Sequence, residues 1–217
     1  MNCIVIKISG HLIKDANSLK SLVKEIEDLH RDRIRVVILP GGSIFADLIR
    51  DIQKEIGFDN DTAHWMAIKA MELYGTYIKS FSPLFEEAYS IEDISFILSN
   101  NRIPIVMPYT ILRKFDELPH SWSVTSDSIA IFIASKIGCG LVCLGKVVDG
   151  VKDARGGLIK RIRAEDFEKI TQNVVDEYVA KLVENLCIKV AIFNVKKPWI
   201  LKDIVKGVEG EYTTVMC

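Results

Sequence analysis

The sequence predicts an α/β protein with a mostly parallel central sheet. Three observations carry that expectation. Short, uninterrupted apolar runs rich in β-branched residues, such as Val36-Val37-Ile38-Leu39, read as strands covered on both faces. Between them lie stretches with apolar residues at helical spacing. Glycine, proline or polar residues stop the runs, so strand and helix alternate.

Taken in order, Cys3–Ile8 is the first strand, ending in Lys7-Ile8-Ser9-Gly10-His11. Ser18 is placed to cap a helix with Leu19, Leu22, Val23, Ile26 and Leu29 on one face. Val36–Leu39 is the second strand, stopped by Pro40-Gly41-Gly42. Ser43 is expected as the N-cap of a helix whose apolar face is Phe45, Leu48, Ile49, Ile52 and Ile56. Thr62–Ile78 reads as a helix with Met66, Ala70, Leu73 and Tyr77 on a shared face, and Ile91–Leu98 as another. Ile103–Met107 is a strand stopped by Pro108, and Leu112–Pro119 a loop. Ser126–Ile137 is a helix closed by Gly138, followed by the strand Leu141–Leu144. Gly156-Gly157 turns between two short strand-like pieces. Asp176–Leu186 is a helix, Lys189–Phe193 a strand, Pro198–Val205 a helix and Thr213–Met216 a last strand. No repeat or linker divides the chain, which is expected to form one domain; its weakest join is near Gly138–Gly140.

The totals exclude several classes. A chain of 217 residues can bury a substantial core. Its 28 Lys and Arg balance 29 Asp and Glu, so no basic excess points to nucleic acid or an anionic membrane surface. The first apolar run is cut by Lys7 and Gly10, too early for a signal peptide or membrane span. Cys3, Cys139, Cys143, Cys187 and Cys217 form no C-x-x-C pair and are expected as reduced thiols of a cytoplasmic protein.

Lys7–Gly10, Gly41-Gly42, Pro108, Gly145–Gly150 and Asn194 all fall at carboxyl ends of predicted strands, the edge where open α/β sheets bind ligands. Glycines there let backbone N–H groups approach a ligand that a Cβ would push away. A following helix N-terminus favours an anion. With lysines converging on that edge, a polyanionic ligand is expected. The sequence contains neither G-x-x-x-x-G-K-[ST] nor G-x-G-x-x-G, which excludes a P-loop and a dinucleotide fingerprint. His11, His30, His64 and His120 lack metal-ligand spacing, and no Ser occupies G-x-S-x-G.

Lys7 with Gly10, the Pro40-Gly41-Gly42 elbow, Thr125-Ser126-Asp127 opening a helix, Val148-Asp149-Gly150 and the terminal Gly210…Thr213 together resemble the amino acid kinase superfamily over nearly the whole chain. PGGSIFADLIR, AHWMAIKAMEL and HSWSVTSDSIA resemble its archaeal branch containing [5-(aminomethyl)furan-3-yl]methyl phosphate kinase, of methanofuran biosynthesis. The resemblance implies an open αβα sandwich, with residues 1–139 as acceptor-binding lobe and 140–217 as ATP-binding lobe. It implies ATP and Mg²⁺ as cofactors, a small-molecule acceptor as partner, and a homo-oligomer, dimer or hexamer.

Residue by residue, the resemblance places Lys7 over the transferring phosphoryl group. Gly10, Gly41 and Gly42 would supply N–H groups around it, and Asp127 would orient the lysines or hold magnesium through water. Asp149 and Gly150 would lie beside the nucleotide. Ser43, His64 and His120 are candidates for acceptor contact. The chain departs from the family pattern at Ser9 and His11, where K-x-G-G-S is usual, and at Lys146-Val147, where T-D is usual. The usual G-G-M-x-x-K reads as VVDEYVAK, so the second catalytic lysine is either Lys181 or Lys146. The expected activity is ATP-dependent phosphorylation of a phosphate monoester, first the aminomethylfuran methyl phosphate. UMP, isopentenyl phosphate and an amino-acid carboxylate are the other acceptors, and a non-catalytic oxyanion-binding protein is the other class.

Overall fold

A computed structural model describes residues 3–170 and 174–217. In chain order the elements are β1 (Cys3–Ile8), a 3-10 turn (Gly10–Lys14), α1 (Ala16–Arg31), β2 (Arg35–Pro40), α2 (Ser43–Ile56) and α3 (Asn60–Lys79). There follow β3 (Phe85–Ala88), α4 (Ile91–Ser99), β4 (Ile103–Val106), α5 (Pro108–Lys114), α6 (Ser126–Lys136) and β5 (Leu141–Lys146). The chain ends with β6 (Arg161–Arg163), α7 (Ala164–Ile170), α8 (Val179–Leu186), β7 (Lys189–Asn194), α9 (Ile200–Lys206) and β8 (Thr213–Met216).

The strands form one sheet in the order β3-β4-β2-β1-β5-β7-β8-β6, parallel throughout except where β7 meets β8. Alternation along each strand sends side chains to two cores. Val5, Val37, Leu39, Val142 and Leu144 join α3 to α8 on one face, while Ile4, Ile6, Ile8, Val36 and Ile38 meet α1 and α9 on the other. Continuous apolar strands are what this two-sided burial requires, and the result is an αβα sandwich. The sheet runs unbroken through the Gly138–Gly140 join, because β5 pairs with β1.

Several local expectations change. Asp15, not Ser18, caps α1, its carboxylate accepting from the Ser18 N–H at 3.1 Å. Gly42, not Ser43, occupies the N-cap of α2, and Ser43 is the first helical residue. The amphipathic face of α2 is not core: Leu48 is 58 % and Ile56 72 % exposed, because α2 packs on α3 at the sheet's edge of ligands rather than against the sheet. Of the face expected on α3, Ala70 is buried and Tyr77 half-buried, but Met66 and Leu73 are exposed; the large buried side chains are instead Trp65, Ile68, Met71, Tyr74 and Ile78. Pro108 starts α5 rather than only ending a strand, so part of the expected loop 112–119 is helical. The helix expected from Asp176 starts at Val179, which frees Asp176 for another role. Short β3, Phe-Glu-Glu-Ala, carries too few apolar residues to register as a strand, and β6 is what remains of the strand-like piece after Gly156-Gly157.

The cysteines also differ from expectation. Cys3 is bonded to Cys139 and Cys187 to Cys217, with Cα–Cα separations of 5.0 and 5.4 Å; Cys143 alone is free. Pairing of Ile4 with Leu141 carries Cys3 and Cys139 together, and pairing of Val190 with Val215 does the same for the second bridge. Nothing in linear spacing reveals either.

Candidate active site

Parallel pairing of β1 and β2 brings their carboxyl ends side by side, and two glycine turns meet there. The Gly41 N–H donates to the Ile8 carbonyl at 2.9 Å. A Cβ on Gly10 would lie 2.4 Å from the Cα and N of Ser43, and one on Gly42 2.5 Å from the Ala46 methyl, so both positions exclude a side chain. Ser43 adopts φ 57°, a left-handed conformation costly for a residue with a Cβ. Its hydroxyl donates to the Gly10 carbonyl at 3.2 Å, which holds the two turns together. With glycine at its N-cap, α2 begins without a side-chain cap, leaving first-turn N–H groups free for an anion. From beneath, the buried Tyr74 hydroxyl donates to the Ser9 carbonyl at 3.0 Å.

Two ammonium groups overlook this cradle. Lys7, at the end of β1, and Lys146, at the end of β5, converge on Asp127 in the first turn of α6. Lys7 Nζ is 3.1 Å from Asp127 Oδ1, and Lys146 Nζ is bonded to Asp127 Oδ2. Asp127 is only 2 % and Lys7 5 % exposed. Burial pulls the pKa of Lys7 down, with Asp127 opposing. For Asp127 burial pushes the other way, but the two ammonium charges outweigh it and hold the carboxyl below the usual range. Two ammonium groups against the one carboxylate between them leave this trio with an excess of positive charge, offset in part by the nearby Asp176.

Asp176, which the sequence reading left as a helix start, anchors this arrangement. Its Oδ2 accepts from Thr125 N and Thr125 Oγ1, both at 2.8 Å, and from Ser128 N at 3.0 Å; the Ser128 hydroxyl bonds Oδ1. Thr125 makes no side-chain cap of its own, so Asp176 caps α6 from a distant segment. Burial and the nearby Asp127 charge raise its pKa. The same segment is tied to the loop before α6 by Ser123 Oγ donating to Glu177 at 3.0 Å and Tyr178 N to the Ser123 carbonyl at 3.3 Å. No sequence motif marks Asp176; it stands where a glycine pair was expected.

These groups line one cavity of about 760 Å³. Of the residues singled out from the sequence, Lys7, Gly10, Gly41, Gly42, Ser43, His64, Asp127 and Lys146 lie in its wall. Asp149, Gly150, His120 and Lys181 do not. Asp149 accepts from Asn194 Nδ2 at 2.9 Å and pairs with Lys197 at 2.9 Å, interactions that lower its pKa. Gly150 packs against Thr213. Lys181 extends over the Tyr178 ring, 5.2 Å from its centroid. His120 has both ring nitrogens engaged, Nδ1 with Asp61 and Nε2 with Asp116 at 2.7 Å, and stacks on His64 at 4.3 Å. Arg50 and Trp122, to which the sequence assigns no role, also line the cavity.

The carboxylates present do not fit a protein-held divalent cation. Both oxygens of Asp127 face ammonium groups, whose field opposes a directly bound metal, and among the described residues no cluster of His, Cys, Asp or Glu has metal-binding geometry.

A parallel sheet whose strand ends carry glycine turns and paired lysines is the architecture of a phosphate-handling enzyme. The Amino acid kinase family profile matches residues 2–194, and the chain belongs to that family. It is thus a kinase, an enzyme that transfers a phosphoryl group, and the family implies ATP as donor. It is 32 % identical to [5-(aminomethyl)furan-3-yl]methyl phosphate kinase of Methanocaldococcus jannaschii, over 98 % of this chain and 97 % of that one. A uridylate kinase of Buchnera aphidicola is 28 % identical, over 94 % of this chain and 92 % of its own length. The crystal structure of UMP kinase from Ureaplasma parvum superposes over the full length of both chains with a TM-score of 0.77 at 22 % identity, a likeness of fold. Among the described residues no helix is long and apolar enough to cross a membrane.

Proposed function

We propose that this kinase transfers the γ-phosphoryl group of ATP to a phosphate monoester, with [5-(aminomethyl)furan-3-yl]methyl phosphate as the first acceptor to test. The observation that carries the reading is the Lys7–Asp127–Lys146 trio above the Gly10 and Gly41-Gly42 turns. Phosphoryl transfer asks the protein mainly for in-line positioning and positive charge on the equatorial oxygens. A phosphate acceptor is already anionic and needs no general base. Lys7 and Lys146 follow the charge as it moves, and Asp127 keeps them apart and aimed. Lys146, rather than Lys181, is then the second lysine, since it shares Asp127 with Lys7.

In this reading residues 1–139 receive the acceptor and 140–217 the nucleotide, which enters with magnesium. The exposed apolar side chains of α2 and α3, Ile44, Leu48, Ile56 and Leu73 among them, support assembly into a dimer or larger homo-oligomer. The enzyme is read as cytoplasmic, where paired cysteines are a feature of hyperthermophile proteins. UMP is the second acceptor to consider, because of the uridylate kinase relative.

The test is ADP release with Mg²⁺-ATP and a panel holding the aminomethylfuran phosphate, UMP, isopentenyl phosphate, acetylglutamate, aspartate and carbamate. Turnover of a phosphate monoester is expected. Turnover of only a carboxylate or carbamate overturns the acceptor class, and ATP binding without turnover of any compound favours a binding protein.

A further inference from the structure

The wall of the cavity formed by α2 holds a cation that the protein itself leaves unpaired. Arg50 lies two helical turns after Gly42, about 12 Å along the axis. Helical side chains lean toward the N-terminus, which carries its guanidinium back toward the glycine turns. No carboxylate among the described residues pairs with it, although Asp47 lines the same cavity one turn earlier. Its Nε–H is buried without any acceptor on the protein, and an unmet donor of this kind costs stability unless a ligand meets it.

The guanidinium is nonetheless held in place. Its Cζ lies 4.3 Å from the centroid of the Trp122 ring, a cation–π stack that fixes the plane of the donor fork. The indole is fixed in turn, because Trp122 Nε1 donates to Gln53 Oε1 at 2.6 Å. The Gln53 amide nitrogen donates to the Phe58 carbonyl at 3.1 Å and to Asn60 Oδ1 at 3.0 Å. A chain of side chains from α2, the α2–α3 turn and the loop before α6 thus preorganises one argininium with open donors. Lys7 and Lys146, in contrast, have Asp127 as a partner.

We propose that Arg50, stacked on Trp122, is the acceptor-recognition residue and binds non-reacting oxygens of a phosphate monoester. This rests on the phosphate-monoester kinase reading and names the residue that makes the site select such an acceptor. Bringing a dianionic phosphate up to the γ-phosphate sets two polyanions together. Lys7 and Lys146, with Asp127 between them, offer little net positive charge, and a planar guanidinium fork suits a phosphate edge. Floor residues Ala63, Ala67, Ile68 and Met71 leave the rest of the acceptor an apolar surface.

The test compares wild type with Arg50→Met and Arg50→Lys, using ADP release to obtain KM and kcat for UMP and for the aminomethylfuran phosphate. Arg50→Met is expected to raise the acceptor KM about thirtyfold or more while the ATP KM stays within about twofold; Arg50→Lys, which keeps charge but not the fork, falls between. An acceptor KM for Arg50→Met within about threefold of wild type overturns the proposal. Calorimetric titration of the same two compounds, in the presence of a non-hydrolysable ATP analogue, separates this proposal from the catalytic reading. If nothing turns over yet wild type binds a compound at least about tenfold more tightly than Arg50→Met, the subsite stands and the kinase reading falls. Equal binding by both proteins, or no binding by wild type, overturns the subsite.

Discussion

Asp176 caps a helix to which it does not belong: its Oδ2 accepts the Thr125 N–H at 2.8 Å, at the start of α6. The bond joins the segment before α8 to the turn that presents Asp127. Asp176→Asn replaces an acceptor-only group with one that turns an NH₂ toward backbone donors. It is expected to cost about 1–3 kcal/mol of stability and to lower kcat tenfold or more, with a smaller effect on the ATP KM. Denaturant unfolding and steady-state kinetics measure both. An unchanged kcat in a destabilised protein would show that Asp176 supports the fold without positioning Asp127.

Lys7→Ala removes a charge from the strand end where the transferring group is read to lie. Turnover is expected to fall about a hundredfold or more while the protein remains folded. Asp127→Asn should be worse for stability, because it leaves the buried Lys7 ammonium without its counter-charge and facing the partly buried Lys146; breaking a buried pair in this way costs about 3–5 kcal/mol. Near-wild-type turnover of Lys7→Ala would remove Lys7 from the chemistry.

His120 and His64 give opposite pH terms from one stacked pair. Burial pulls the pKa of His120 down, but hydrogen bonds and charges from Asp116 and Asp61 outweigh it and raise the value above 6.5. Its stabilisation is therefore complete below 6.5 and is lost as pH rises through the raised value. His64 is pushed down to about 4 by burial and by His120, so its neutral form is favoured and stability falls as pH drops from 6.5 toward 4. The difference in melting temperature between wild type and His120→Asn should be larger at about pH 6 than at about pH 8.5, and smaller in high salt because both carboxylates are exposed. A pH-independent difference would reduce His120 to a packing role.

The two disulfides predict a thiol count. Denatured without reductant, the protein should titrate one thiol, that of Cys143, against five after reduction. Five thiols without reductant would restore the expectation of reduced cysteines. The native protein should resist alkylation at Cys143, whose thiol burial pushes up to about 12.

Sequence alone determined the α/β class, most strands within a residue or two and the glycine turns at their carboxyl ends. Those features are local: an apolar run reports a strand buried on both faces, and a glycine pair reports a turn, whatever lies elsewhere in the chain. Lys7 and the turn at Gly41 were legible for the same reason, since parallel strands deliver their carboxyl ends to one edge. Periodicity gave the apolar stripe of α2, but it could not say that the stripe is only half covered, with Leu48 and Ile56 left exposed.

Only the tertiary structure decided what meets what. Lys146 reaches Asp127 because β5 pairs with β1, and Asp176 reaches Thr125 from 51 residues away. The Cys3–Cys139 bridge closes over 136 residues, and Trp122 crosses 69 to lie on Gln53. Such contacts depend on strand order and on the packing of helices against one another. A linear pattern encodes how each segment folds and not which distant segment its side chains will touch.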